Sequence, residues 1–259
     1  MTARLAAISS LGAALLLSGC TGFYEIPIET PIQPKLDITG FQRILVAGFV
    51  AGGSDDVDGN LETVRLLRSQ LRTKAGLRVI EADVLPLQEI VQDQSRESEP
   101  PAAGAVEASP ALVPAQIKDE KDLESYERIF ANASYWKQLG EEFQNPLIVT
   151  GTVLFTPHQR SGIVTREQEV YDQFGRRRVI PVRAYMERKG FILRPKFVFI
   201  DGRTGSTLYS ESFREEILYN ADQNTPALSS YFELMDRLVP TFLNTLSMQR
   251  VRGTRVLLQ

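Results

Sequence analysis

Cys20 and His158 are the only cysteine and the only histidine in 259 residues. A Cys/His zinc site needs three or four such ligands. A Ser-His-Asp or Cys-His arrangement needs a histidine beside its nucleophile. If Cys20 is consumed in another way, neither chemistry can be assembled within one chain, and no disulfide can form. An enzyme built here would have to use carboxylates, lysine, tyrosine or a Ser-Lys pair. Two adjacent carboxylate pairs exist, Glu141-Glu142 and Glu215-Glu216. Neighbours on a helix or strand project in different directions, so neither pair is set across a cleft as glycan hydrolysis requires. The expectation is a protein with no catalytic residues, no cofactor and no metal.

Three further groups carry charge or loop chemistry. Gly52-Gly53 falls between an apolar run and a helical pattern, where phosphates often bind. The stretch lacks GxGxxG and the Walker lysine, and Asp55, Asp56 and Asp58 would repel phosphate. Those carboxylates, with Asn60 and Glu62, offer oxygens to Ca²⁺, but not at EF-hand spacing. An acidic, solvated loop capping a helix is the expected reading. Arg176-Arg177-Arg178 crown a candidate hairpin, where they could meet anionic headgroups or an acidic partner, or simply be solvated. His158 follows Pro157 at an expected strand end and reads as a surface loop residue.

The elements that hold these residues follow from periodicity. Arg43–Val50 is nearly continuous in apolar residues, as in a strand covered on both faces. Leu61, Val64, Leu67 and Leu71 then recur at helical spacing, with Asn60 as the expected N-cap. A short strand at Leu77–Glu81 and a short helix at Val84–Gln92 follow. Residues 95–118 hold Pro100, Pro101, Pro110 and Pro114 among Ala, Glu and Ser, and read as a disordered insertion. A helical pattern over Asp122–Phe143 breaks near Asn132-Ala133-Ser134, and Leu147–Phe155 is the strongest strand, with Gly151 marking a close approach or bulge. A hairpin over Ile163–Met186, a strand pair over Phe191–Leu218 and a helix over Ala227–Ser247 complete the domain, with Arg255–Leu258 as an edge strand. The fold class is α/β (α+β): a mixed β-sheet with helices packed on it, an extended β-hairpin and a long C-terminal helix.

The amino terminus reads as an export signal. Arg4 precedes an apolar run, Leu11–Leu17, and small residues lead to Cys20. The run is short of the roughly 20 apolar residues a span needs. Leu17-Ser18-Gly19-Cys20 resembles a bacterial lipobox. The resemblance implies that residues 1–19 are removed and that Cys20 becomes the acylated first residue. The alternative is an ordinary signal ending beside a chance cysteine. Thr21 follows the cysteine; in the enteric sorting rule Asp there favours the inner membrane, so the outer membrane and its periplasmic face are implied. Residues 20–40, with Pro27, Pro31 and Pro34, are the expected tether, and residues 41–258 a single periplasmic domain. The formal charge of −3 becomes about −4 once Arg4 leaves, which argues against nucleic-acid binding.

A wider resemblance rests on three stretches: Arg43-Ile44-Leu45-Val46; Asn145-Pro146-Leu147-Ile148-Val149-Thr150-Gly151; and Asp201-Gly202-Arg203-Thr204-Gly205. Their order over residues 40–218 resembles the periplasmic α/β domain of the curli secretion lipoprotein family and of the amino-terminal domain of TolB. The resemblance implies an envelope binding or assembly module. Its expected contacts are the membrane, through Cys20, and other envelope proteins, with a homo-oligomer left open. A secretion pore would need a hairpin with a lipid-facing side. The 163–173 stretch is polar on both faces, although Ile180, Val182, Ala184 and Met186 line one face of the stretch opposite.

Overall fold

The computed structural model describes residues 23–74, 76–97, 114, 116–220 and 222–258. Residues 1–19, Cys20 and most of the 95–118 insertion lie outside them. Two units are each compact. One runs Lys35–Ser247; the other joins the stretch ending at Pro34 to the stretch starting at Met248.

The larger unit is a mixed sheet covered on both faces. Strand β2 (Arg43–Gly53) lies parallel to the short β3 (Arg78–Val79) and to β4 (Leu147–Tyr171). Strand β5 (Arg177–Asp201) pairs antiparallel with β4, and β6 (Thr207–Ser212) and β7 (Glu215–Asn220) pair antiparallel with β5. Alternate residues of β2 serve different cores. Ile44, Val46 and Phe49 join α1 (Gly59–Lys74) and α5 (Ala227–Leu246). Leu45, Ala47 and Val50 join α2 (Leu87–Glu97), α3 (Glu120–Glu124) and α4 (Ala133–Glu142). This double burial is why the β2 run is almost continuously apolar. The β2–β3 and β3–β4 crossovers run in opposite directions across the sheet and place helices on opposite faces, as right-handed crossovers must.

Local chemistry fixes β2. Its register against β4 shifts between Val46 and Gly48. The freed carbonyls are each taken: Arg68 Nη2 donates to Val46 O at 2.8 Å, Leu85 N to Ala47 O at 2.9 Å, and Thr150 Oγ1 to Gly48 O at 2.8 Å. Buried carbonyls left bare would cost about 1–3 kcal/mol each.

Three expectations need correction. The N-cap of α1 is Asp58, whose Oδ1 accepts from Leu61 N at 2.9 Å, not Asn60. Asn60 is already inside the helix and braces its surroundings: its Oδ1 accepts from Phe49 N at 2.7 Å and its Nδ2 donates to Leu85 O at 3.1 Å. The strand at Leu147 does not end at Phe155. It continues without interruption to Tyr171, so strand and hairpin are one element. Pro157 does not break it, because β2 stops pairing at Phe155 and the outer edge beyond needs no donor. The second strand of the pair expected over Phe191–Leu218 is divided into β6 and β7, with Phe213 N donating to Pro195 O between them.

The smaller unit is a two-stranded antiparallel ribbon of β1 (Phe23–Ile32) and β8 (Gln249–Leu258), in register from Phe23↔Leu258 to Ile32↔Gln249. The expected tether thus contains a strand, and the expected edge strand is longer than Arg255–Leu258 and pairs with it.

Candidate functional site

The candidate site is the outer part of the β4–β5 pair. Both strands have 25 residues and pair over their whole length. The first nine residues of β4 are buried. Beyond Arg188, where β7 leaves the edge of β5, the two strands pair only with each other, from Ser161↔Glu187 to Tyr171↔Arg177. At the usual strand rise this ribbon reaches roughly 35 Å. Neither core cluster includes any of its residues.

The register sorts its side chains. One face carries the pairs Ile163/Tyr185, Thr165/Arg183, Glu167/Pro181, Glu169/Val179 and Tyr171/Arg177. The other carries Gly162/Met186, Val164/Ala184, Arg166/Val182, Gln168/Ile180 and Val170/Arg178. The second face therefore gains Val164 and Val170 beside the apolar row of β5, but Arg166 and Gln168 interrupt it. Ile163 is 72% exposed, Tyr185 65% and Phe174, at the tip, 73%. An isolated two-stranded hairpin is marginal in water, and this one leaves several large apolar side chains in solvent.

The tip is a charge-satisfied turn. Asp172 Oδ1 accepts from Phe174 N and Arg176 N, both at 2.9 Å, and its Oδ2 accepts from Arg176 Nε at 2.9 Å. Arg178 stands 3.8 Å from the same carboxylate, Arg177 pairs with Glu169, and the Arg176 guanidinium lies 5.3 Å over the Phe174 ring. The three arginines are thus held by local acids and an aromatic ring rather than bare. The backbone bond from Arg176, with those from Phe174 N and the Arg176 side chain, holds Asp172 below the usual carboxylate range against the opposing effect of burial. A depressed pKa gives order that is complete above the ordinary range, near pH 3.9, and lost as pH falls through the lower folded value. The Phe174 and Gly175 amide resonances should therefore broaden or shift only below about pH 4. Changes centred at neutral pH would contradict the role of Asp172.

At the ribbon's base lies a cavity of about 500 Å³ lined by Gln159, Lys189, Phe191, Tyr219, Gln223 and Thr225, among others. It had no sequence signal, because it depends on β4 continuing past Pro157 and on β7 pairing with β5. His158 stands in mid-strand there, opposite Gly190, with Nε2 3.5 Å from Glu216 Oε1; the loop placement expected for it is corrected.

Most of the other sequence candidates are engaged within the chain. Gly53 has φ +100°, its N donates to Ile117 O at 2.8 Å, and Ser54 N donates to Phe155 O at 2.7 Å. These amides of the glycine loop are used within the chain. Asp56 accepts from Ser54 Oγ at 2.9 Å, and Asp58 caps α1. Glu62 accepts from Arg65 at 3.2 Å, and Asp55 lies 3.5 Å from Gln116 Nε2. Glu141 stands 4.0 Å from Lys137 one helical turn back; Glu142 is its exposed neighbour. Glu215 and Glu216 pair with Leu193 and Ile192, and so face opposite sides of the sheet. The Asp201–Gly205 turn is structural: a Cβ on Gly205 would lie 1.9 Å from Ala133 O, and one on Gly140 1.8 Å from Gly202 O. Arg203 closes it with two bonds of 3.0 Å to Asp201. Cys20 lies outside the described residues. Among the described residues, no helix is long and apolar enough to cross a membrane.

No protein-family model matches the chain, and no curated protein matches it in sequence. Among solved structures it is similar to the lipoprotein GNA1162 from Neisseria meningitidis, at 15% identity and TM-score 0.34, over 78% of this chain and 98% of that one. It is similar to a PelC dodecamer from Paraburkholderia phytofirmans, at 10% identity and TM-score 0.34, over 85% and 97%. It is also similar to a hypothetical protein from Chlamydia trachomatis, at 10% identity and TM-score 0.39, over 80% and 97%.

Proposed function

We propose that the protein is a non-enzymatic, lipid-anchored protein of the cell envelope. In this reading Cys20 holds it on the periplasmic face of the outer membrane, and the β4–β5 ribbon binds and helps assemble other envelope proteins. The observation that carries the reading is the ribbon. It takes no part in either core, it has two open edges, and it presents Ile163, Tyr171, Phe174 and Tyr185 to solvent. Aromatic side chains with nearby arginine are typical of binding hot spots.

The test is to shorten the ribbon at a natural rung. Ser161 and Glu187 are cross-strand partners, so residues 162–186 can be replaced by an Asn-Gly turn. The thermal midpoint should stay within about 3 °C of the parent. Photo-crosslinks from a probe at Gln159, inside the retained base, to envelope proteins in living cells should fall about tenfold. Crosslinks that survive in a folded, shortened protein would sink the reading.

A second reading makes the partner another copy of the chain. Between the Ser161↔Glu187 and Tyr171↔Arg177 rungs, β4 carries Glu167 and Glu169 with Arg166, while β5 carries Arg177, Arg178 and Arg183 with Glu187. An acidic edge and a basic edge on one ribbon suit head-to-tail addition. Light scattering decides between the readings: a concentration-dependent mass that the shortened ribbon abolishes supports self-association.

A further inference from the structure

The β1–β8 ribbon is amphipathic in a way that the anchor reading leaves unused. Residues two apart on a strand, and residues opposite one another across a pair, share a face. One face of the ribbon therefore holds Ile26, Ile28, Thr30 and Ile32 with Val251, Gly253 and Arg255. The other holds Glu25, Pro27, Glu29 and Pro31 with Arg250, Arg252, Thr254 and Val256. On the second face Glu29 accepts from Arg252 Nε at 2.8 Å and stands 3.7 Å from Arg250. The first face leaves Ile28, Ile32 and Val251 between 41% and 50% exposed. Among the described residues, Arg255 makes no ion pair and sits opposite Ile26 at the end of that apolar row nearer the amino terminus.

The chain before β1 decides what covers this face. Cys20 precedes Phe23 by three residues, at most about 11 Å of extended chain. An acylated Cys20 would therefore hold the ribbon's first rungs at the bilayer surface. From these observations we infer that the apolar face of the β1–β8 ribbon lies on the lipid headgroups, as a second membrane contact beside the acyl chains; the inference rests on the anchor reading above. Ile26, Ile28, Ile32 and Val251 enter the boundary of headgroups and acyl tails, a depth that interfacial segments reach. Arg255 lays its aliphatic stem along Ile26 and turns its charge to the lipid phosphates. The open strand edges stay hydrogen-bonded to water and headgroups, which the hydrocarbon interior would not permit. Pro27 and Pro31 share one parity, so a single arrangement turns both ring nitrogens to the outer edge of β1, where they discourage a further strand from adding.

Cys20 is the only cysteine, and acylation would consume its thiol, so an introduced cysteine labels one site. The acylated full chain is reconstituted in vesicles of phosphatidylethanolamine and phosphatidylglycerol. A fluorophore is placed at Ile28→Cys or Val251→Cys on the apolar face, and at Pro27→Cys or Thr254→Cys on the charged face. Lipids brominated high on the acyl chain should quench the first pair about threefold more than the second. Equal quenching on both faces overturns the inference. So does absence of quenching with the protein still in the vesicle pellet, which leaves the anchor standing; disulfide-linked dimers through Val251→Cys would then identify a second copy as the cover. Recovery of the protein in the supernatant overturns the anchor and the inference together.

Discussion

Gly151→Ala is expected to cost about 4 kcal/mol of folding stability, the sum of overpacking and backbone strain. Gly151 has φ +147°, and a Cβ there would lie 1.8 Å from Lys196 O and 3.3 Å from Phe197 Cα. Both are backbone atoms of β5, fixed by the Gly151↔Phe197 rung and by the buried Phe197 side chain. Neither can yield without parting the two strands that carry the ribbon. A loss of that size is a large share of the 5–15 kcal/mol typical of a domain, taken here as roughly that range. Urea unfolding measures it. Gly162→Ala is the matched control on the same strand, where a Cβ meets nothing within 4 Å, and its cost should be about 0.5 kcal/mol or less. Similar urea midpoints for the two variants would refute the argument.

If Cys20 is acylated as proposed, its loss should move the protein almost wholly out of the membrane fraction. Burial of acyl chains contributes about 0.8 kcal/mol per CH₂, and two chains give stable attachment where one does not. The variant is Cys20→Ser with residues 1–19 exchanged for an ordinary cleavable export signal, so that no uncut signal remains as a substitute anchor. Fractionation of cells, followed by a salt wash of the membranes, reads the result. The apolar face of the β1–β8 ribbon alone should leave only a small, salt-insensitive remnant. If most of the variant stays with the membranes, Cys20 is not the anchor.

The sequence shows most clearly what burial enforces. The doubly covered β2, the stripe of α5 from Tyr231 to Leu246, and the helix break at Asn132, whose side chain caps α4, all leave periodic or capping signals. The ribbon is legible as an extended hairpin over Ile163–Met186, but not as a continuation of the Leu147 strand. Its β4 side is polar on both faces, so no apolar alternation marks Gln159–Glu169; the Ile180, Val182, Ala184, Met186 row of β5 is what makes the hairpin legible. Asn60 looks like a cap because its residue type favours caps; its actual partners, Phe49 N and Leu85 O, lie 11 and 25 residues away. The cavity beside Lys189 likewise depends on two pairings that no local window contains. The Asp201–Gly205 turn joins the strand pair expected over Phe191–Leu218, but the contacts that require its glycines, Gly205 against Ala133 of α4 and Gly202 against Pro146, are long-range.

The register Phe23↔Leu258 joins the two sides of the larger unit and so bears on the order in which the chain folds. If the chain is exported amino terminus first, as proposed, β1 crosses the membrane before the larger unit and β8 after it. The larger unit between them can complete both cores while β1 waits, since neither core uses it. Closing so long a loop is slow relative to local pairing, although its entropy grows only with the logarithm of its length. The β1–β8 ladder is therefore expected to form after the larger unit, an order that pulse-labelling hydrogen exchange would read. A molecule that has lost its last ten residues would carry a finished domain on an unpaired amino-terminal strand.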